Sequence, residues 1–320
     1  PRGRQGPSKR SIATHCLYQT ELTVSTTGNV QPYPASDTGM SDVEDAEMAF
    51  QYRSRPVFAI GHGTSADWSV QPDETVLRTE FLPVSIVHSI RYDRPSSDPK
   101  TWRFEPGLLE LDRLADADDL ASLLAPLATA YAVWMDDQLR EVQGEPRPHD
   151  EAITARISEK QQVALDRMRD GISMLASDPV SREAFQLACR TIADQMRRPA
   201  ADWPDDRAPA LRPFQLAFFL LVAPGLVDRD RVDHDVVDLL WFPTGGGKTE
   251  AYLLLAAFEI FRRRLRTTDD DGVVVLSRYT LRLLTTQQFQ RTVAMASAAE
   301  LIRREDPERL GSCLLYTSPS

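Results

Sequence analysis

Residues 235–261 read DVVDLLWFPTGGGKTEAYLLLAAFEIF, an apolar run ending at Phe242, a glycine-rich turn, and a periodic apolar segment from Lys248 onward. That order predicts strand, loop, helix. A phosphate presents charge and oxygen acceptors, so a loop that binds one needs unobstructed backbone N–H groups, which Gly245, Gly246 and Gly247 supply with no Cβ in the way. The N-terminus of the helix adds positive potential. In such a loop Lys248 reaches the β- and γ-phosphates as a point charge and the Thr249 hydroxyl ligates Mg²⁺. These two are the expected catalytic residues, and Thr244, Gly245, Gly246, Gly247, Lys248 and Thr249 the expected nucleotide cradle. The strict pattern G-x-x-x-x-G-K-[ST] asks for glycine at 242, where this chain has Phe242. Read blandly, the three glycines are only a flexible turn with Lys248 solvated at its edge. The strand and helix predicted on either side favour the phosphate reading.

Outward from the loop, Gly272 to Tyr279 (GVVVLSRY) is β-branched and suits a second parallel strand, followed by a helix through TLRLLTTQ. Arg278, Arg282, Thr285 and Thr286 at that helix start suit a nucleic-acid phosphate, held by hydroxyls and backbone N–H groups. Upstream, Leu211-Arg212-Pro213-Phe214-Gln215 begins a helix at Pro213. An amide such as that of Gln215 offers adenine both a donor and an acceptor.

Pro243 to Thr249 resembles motif I of superfamily 2 helicases, commonly PTGxGKT; LRPFQ looks like the Q-type motif of that group, and the Arg278 to Gln287 element like its motif Ia. In motif Ia, Thr280 and Leu281 stand where the group has Pro and Thr. The strings LLWFPTGGGKTEAYL and SRYTLRLLTTQQFQR resemble more closely the large helicases of DISARM phage-defence systems, the DrmA type, from Leu211 to about Arg304. FAIGHGTSADW (58–68) and TEFLP (79–83) resemble that group's N-terminal β region. The resemblance implies a RecA-like ATP-binding lobe, ATP and Mg²⁺ as cofactors, Gln215 as adenine reader, DNA as substrate and a partner protein in phage defence.

The acidic D-E-x-H motif that orients water and holds Mg²⁺ in such motors does not follow Lys248, and neither does a second lobe with its arginine finger. Asp150-Glu151-Ala152-Ile153 has a superficial likeness but reads as a helix start. By itself the chain is therefore expected to hydrolyse ATP poorly. Two other readings stand beside the motor: an ATP-binding scaffold that organises partner proteins without translocating, and a small-substrate P-loop kinase or GTPase, against which Gln215 and the Arg278 to Gln287 element argue.

The remainder is divided by its patterning. Residues 1–50 are expected to be partly disordered around a strand at 16–25, and 51–107 to form a small β-rich unit with strands at 57–60 and 84–92. Residues 108–200 are expected to form a helical accessory region: Leu120, Leu123, Leu124, Leu127, Tyr131 and Trp134 recur at helical spacing, with further helices at 150–176 and 181–196. The prolines Pro199, Pro204 and Pro209 mark a boundary, after which 201–310 is the partial RecA-like lobe. The fold class is thus α/β, a parallel sheet flanked by helices and incomplete, preceded by an α+β region. The chain begins at Pro1 and is read as a fragment; GSCLLYTSPS (311–320) resembles a non-native tail.

The 320 residues are 42% hydrophobic and 26% charged, an ordinary globular composition. With 37 Lys and Arg against 47 Asp and Glu the net charge is −10, so DNA contact needs a local basic patch. Residues 248–309 carry eleven basic and nine acidic side chains, a mild enrichment. The three cysteines, Cys16, Cys189 and Cys313, are far apart and unaccompanied by histidine at ligand spacing, which suggests neither disulfides nor zinc and suits the cytoplasm. No run approaches the roughly 20 apolar residues that span a bilayer. His62 reads as a loop histidine, and Trp68 and Trp134 as core aromatics.

Overall fold

The computed structural model describes residues 20–33, 43–81, 105–144, 150–197, 208–242, 245–267, 272–278 and 282–312. The chain packs as two units, one of residues 1–89 with 149–153 and one of 90–148 with 154–320.

The first unit holds strand β1 (Thr23–Thr26), helix α1 (Val43–Gln51), and strands β2 (Ser65–Val70) and β3 (Thr75–Glu80). The sheet is antiparallel in the order β1-β3-β2, with Thr23 opposite Arg78 and Ser65 opposite Glu80. Of the strand expected at 16–25, residues 16–19 lie outside the described set and the strand itself begins at Thr23. Val57 to Ile60 forms no strand: the Val57 carbonyl accepts from the Tyr33 N–H at 2.6 Å, and the sheet is built instead from TVST, SADWSV and TVLRTE. The run 84–92 lies outside the described residues. Trp68 is half-buried, edge-on to Phe58 with ring centroids 6.3 Å apart, and His62 is exposed on the turn before β2.

The second unit is helical. A 3₁₀ turn at Pro106–Leu109 leads to α2 (Leu111–Ala115), α3 (Leu120–Gly144), α4 (Asp150–Ser177), α5 (Pro179–Arg197), α6 (Pro213–Val227), α7 (Lys248–Arg266), α8 (Arg282–Glu305) and α9 (Pro307–Leu310). The start of α3 is fixed by Asp119, whose carboxylate accepts from the Ser122 N–H at 3.0 Å and from its hydroxyl at 2.5 Å. Those bonds hold the Asp119 carboxyl below its ordinary value.

Helix α5 is the hub, packed against α2, α7 and α8. Ala184, Phe185, Ala188, Cys189, Ile192 and Ala193 recur at three- and four-residue spacing and are all buried. Burial raises the Cys189 thiol well above its ordinary value, so it packs as a small apolar group. Helix α6, PFQLAFFLLVAPGLV, is apolar almost all round and buries Leu216, Phe218, Phe219, Leu220 and Ala223, with Phe214, Ala217 and Leu221 half-buried. Phe219 joins three helices: its ring lies 4.7 Å from that of Phe185 and 5.1 Å, at 88°, from that of Phe258. At Gly171 of α4, a Cβ would sit 2.2 Å from the Leu220 carbonyl oxygen, so α4 and α6 cross backbone to backbone.

Residues 208–211 are stitched to the start of this unit. Leu111 N–H donates to the Pro209 carbonyl at 2.9 Å and Leu211 N–H to the Leu109 carbonyl at 2.8 Å. Within this unit, residues 108–144, 154–197 and 211–310 contribute side chains to one hydrophobic core. Gly311 and Ser312 are held by Arg303 and Arg264; residues 313–320 lie outside the described set.

The two runs expected to be parallel strands, 235–242 and 272–278, adopt no regular element, and no parallel pairing occurs among the described residues. Their apolar side chains stand in solvent: Val237 is 92% exposed, Trp241 80% and Val273 82%. A strand is made by its neighbours, and among the described residues neither run has one. What the structure shows is a mostly helical α/β chain with one small antiparallel sheet. No helix among the described residues is long and apolar enough to cross a membrane.

Candidate functional site

The glycine turn opens α7. Gly245 and Gly247 have φ of +79° and +85°, left-handed values that an L side chain adopts at a cost, and Gly247 is the N-cap immediately before α7. A Cβ on Gly247 would also lie 2.9 Å from Gln215 Nε2. The left-handed backbone is what calls for glycine there, and the space a Cβ would need is filled by the Gln215 amide.

Beneath the turn sits a polar floor supplied by the entry to α6. Gln215 is 2% exposed: its Oε1 accepts from the Arg212 N–H at 2.7 Å, and its Nε2 donates to the Gly247 carbonyl at 2.6 Å. The Arg212 guanidinium donates to the Gly246 carbonyl. In a trans peptide the C=O and the following N–H point in opposite directions. Capturing the carbonyls of Gly246 and Gly247 therefore turns the N–H groups of Gly247 and Lys248 away from the floor, the orientation an anion needs.

The Lys248 ammonium donates to the Phe242 carbonyl, and the Phe242 ring stacks on Phe214 at 4.1 Å and 16°. Phe242, the departure from the strict loop pattern, thus anchors the segment before the turn to α6. Thr249 is half-buried on the first turn of α7. Of the residues named for the nucleotide cradle, Gln215 meets the turn at the Gly247 carbonyl, and Gly245, Gly246, Gly247, Lys248 and Thr249 follow one another through the turn into α7; Thr244 lies outside the described residues.

The helix start at 282 is less defined. Arg278 and Thr286 are exposed, and the side chains of Arg282 and Thr285 lie outside the described set. Among the described residues no cluster of three or more His, Cys, Asp or Glu could hold a metal ion.

Two features escape sequence reasoning. The first is Glu250, 7% exposed, which pairs with Arg291 of α8. A carboxylate in the first turn of an apolar helix was the available signal; nothing in the spacing points to Arg291. The second is an ion-pair web behind the approach to the turn. Arg167 of α4 meets Asp238 at 2.6 Å and Asp233 at 3.1 Å, and Arg231 meets Asp233 at 2.8 Å and Asp170 at 2.7 Å. Hydrogen bonding from Arg231 is the main cause that holds the Asp233 carboxyl below its ordinary value of 3.8.

A carboxyl depressed in the folded state stabilises it above the unfolded pKa, and that stabilisation is lost as pH falls through the folded one. Residues 228–238 should therefore loosen in acid, below an ordinary Asp pKa, before the helical core does. Hydrogen exchange across pH 3 to 7 checks this: Asp233→Asn should show the loosened loop already at neutral pH, and identical protection in both proteins would refute the clamp.

No family model matches this sequence. The chain spans 28% of the length of one curated relative, the DISARM protein DrmA of Bacillus paralicheniformis. Over 92% of its own length, glycine turn and polar floor included, the chain is similar to that DrmA protein at 33% identity.

Proposed function

We propose that this chain is the nucleotide-binding part of an ATP-dependent DNA helicase or translocase acting in phage defence in the cytoplasm. The single observation that carries the reading is the turn at 245–247, where the carbonyls of Gly246 and Gly247 are held by Arg212 and Gln215 so that the N–H groups of Gly247 and Lys248 point away from that floor. ATP fits this arrangement. In this reading the loop N–H groups and Lys248 would take the phosphates and Thr249 would hold Mg²⁺, while Gln215 would read an adenine edge only by giving up its present bonds to the Arg212 N–H and the Gly247 carbonyl. When bound, Mg²⁺ would neutralise charge between the phosphates.

The reading takes residues 235–242 and 272–278 as strands of a RecA-like parallel sheet, since each leads into a helix, α7 or α8, in the order such a lobe uses. Arg278, Arg282, Thr285 and Thr286 then fall where a DNA phosphate would lie. The phage-defence context and a partner protein rest on the likeness to DISARM protein DrmA.

ATP titration with Mg²⁺ into the 320-residue chain tests this, with Lys248→Ala as control and single-stranded DNA in a second titration. Removing a charged hydrogen bond of about 1.5–3 kcal/mol should weaken ATP by about 10- to 100-fold. Salt-sensitive DNA binding beside it supports the motor. ATP binding without DNA binding favours the ATP-binding scaffold instead, and equal ATP affinity in both proteins refutes the nucleotide reading.

A further inference from the structure

Glu250 places a buried negative charge where an anion is to bind. Its Oε2 lies 3.4 Å from the position a Cβ on Gly247 would take, on the same floor as Arg212 and Gln215. Its side chain is 9% exposed and is paired with Arg291, which is 41% exposed and lies on α8, a helix that begins far along the chain. Among the basic residues of α8, Arg303 and Arg304 are committed to Glu300, also on α8. Among the described residues, Arg291 is the basic residue of α8 that pairs with a carboxylate on α7. A bare carboxylate in a poorly solvated floor would repel a polyphosphate arriving a few ångströms above it, and an arginine on the carboxylate cancels that field.

We infer that Arg291 is a positioning residue for the anion site: by neutralising Glu250 it makes the glycine turn receptive to phosphate, so that α8 sets the affinity of the turn at the start of α7. The inference rests on the nucleotide reading and deepens it. Any displacement of α8 that draws Arg291 off Glu250 would leave the carboxylate with less positive charge beside it and weaken the hold on the anion, and an anion held in the turn would in return favour the paired position of α8.

The test compares four forms of the 320-residue chain: unaltered, Arg291→Gln, Glu250→Gln, and the double variant. The readouts are ATP and inorganic pyrophosphate affinity, and hydrogen exchange of the turn with no ligand. Arg291→Gln should weaken both ligands by about tenfold or more, and adding Glu250→Gln should restore them to within about threefold. A merely structural pair would give a double variant no better than the single one. That result, or unchanged affinity in Arg291→Gln, overturns the inference. If the unaltered chain and Lys248→Ala bind ATP equally, the nucleotide reading fails by itself. The exchange experiment then decides: Arg291→Gln must alter protection at residues 245–248 and the double variant must return it, and a turn indifferent to both changes overturns the link.

Discussion

Gly171→Ala is expected to destabilise the helical unit, although alanine is the better helix former. In an open helix interior the exchange would add about 0.5–1 kcal/mol of stability. Here the new methyl would meet Leu220 backbone atoms at 2.2, 2.8 and 2.9 Å, and backbone cannot swing aside as a side-chain tip can. Helices α4 and α6 must separate. That loosens Leu216, Phe219 and Leu220 together and costs about 1–3 kcal/mol or more. At roughly 2–4 °C per kcal/mol for a unit of this size, the melting midpoint should fall by several degrees. Gly144→Ala, at the end of α3 where a Cβ meets nothing within 4 Å, is the control and should be neutral. A Gly171→Ala protein that melts at or above the temperature of the unaltered chain would show that the backbones do not touch.

Phe258→Ala should cost more. The ring is fully buried and stands edge-on to Phe219, which in turn packs on Phe185, so the deletion opens a cavity where α5, α6 and α7 meet. Large-to-small changes of this kind cost about 3–5 kcal/mol, a sizeable part of the 5–15 kcal/mol that holds a typical domain together. Urea unfolding followed by far-ultraviolet circular dichroism should show a lower midpoint with an unchanged slope. Because α7 carries Lys248 at its first residue, anion binding should decline with the folded fraction and persist where the helix is intact. A loss of stability under about 1 kcal/mol would contradict the packing of Phe258 against Phe219.

The helices were legible because each buries a periodic face. Leu120, Leu124 and Leu127 line the core side of α3 as their spacing predicts, while Tyr131 and Trp134, stacked at 5.4 Å, are only half-buried and line an apolar cavity of about 320 Å³ with Phe214. The glycine turn was legible because few residues other than glycine accept φ near +80° ahead of a helix. Strands fared worse, since a strand depends on partners that local pattern does not name. SADWSV and TVLRTE pair through backbone groups despite their polar side chains, whereas the more apolar 235–242 and 272–278 pair with nothing described. Within the site, the contact of Gln215 with the Gly247 carbonyl, and those of Arg212 with Gly246 and of Glu250 with Arg291, join segments far apart in the chain, which spacing along it does not encode.

The exposed runs at 235–242 and 272–278 also govern how the chain behaves in a tube. Val236, Val237, Leu239, Trp241, Val273, Val275 and Leu276 present β-prone, largely uncharged edges to water. Such edges are templates for another copy of themselves. A net charge of −10 keeps copies apart at long range, and salt shortens that range to about 8 Å at physiological ionic strength. Raising either concentration or salt should thus turn a clear solution turbid, which makes dilute, low-salt handling the condition under which the molecule stays a single colloidal particle.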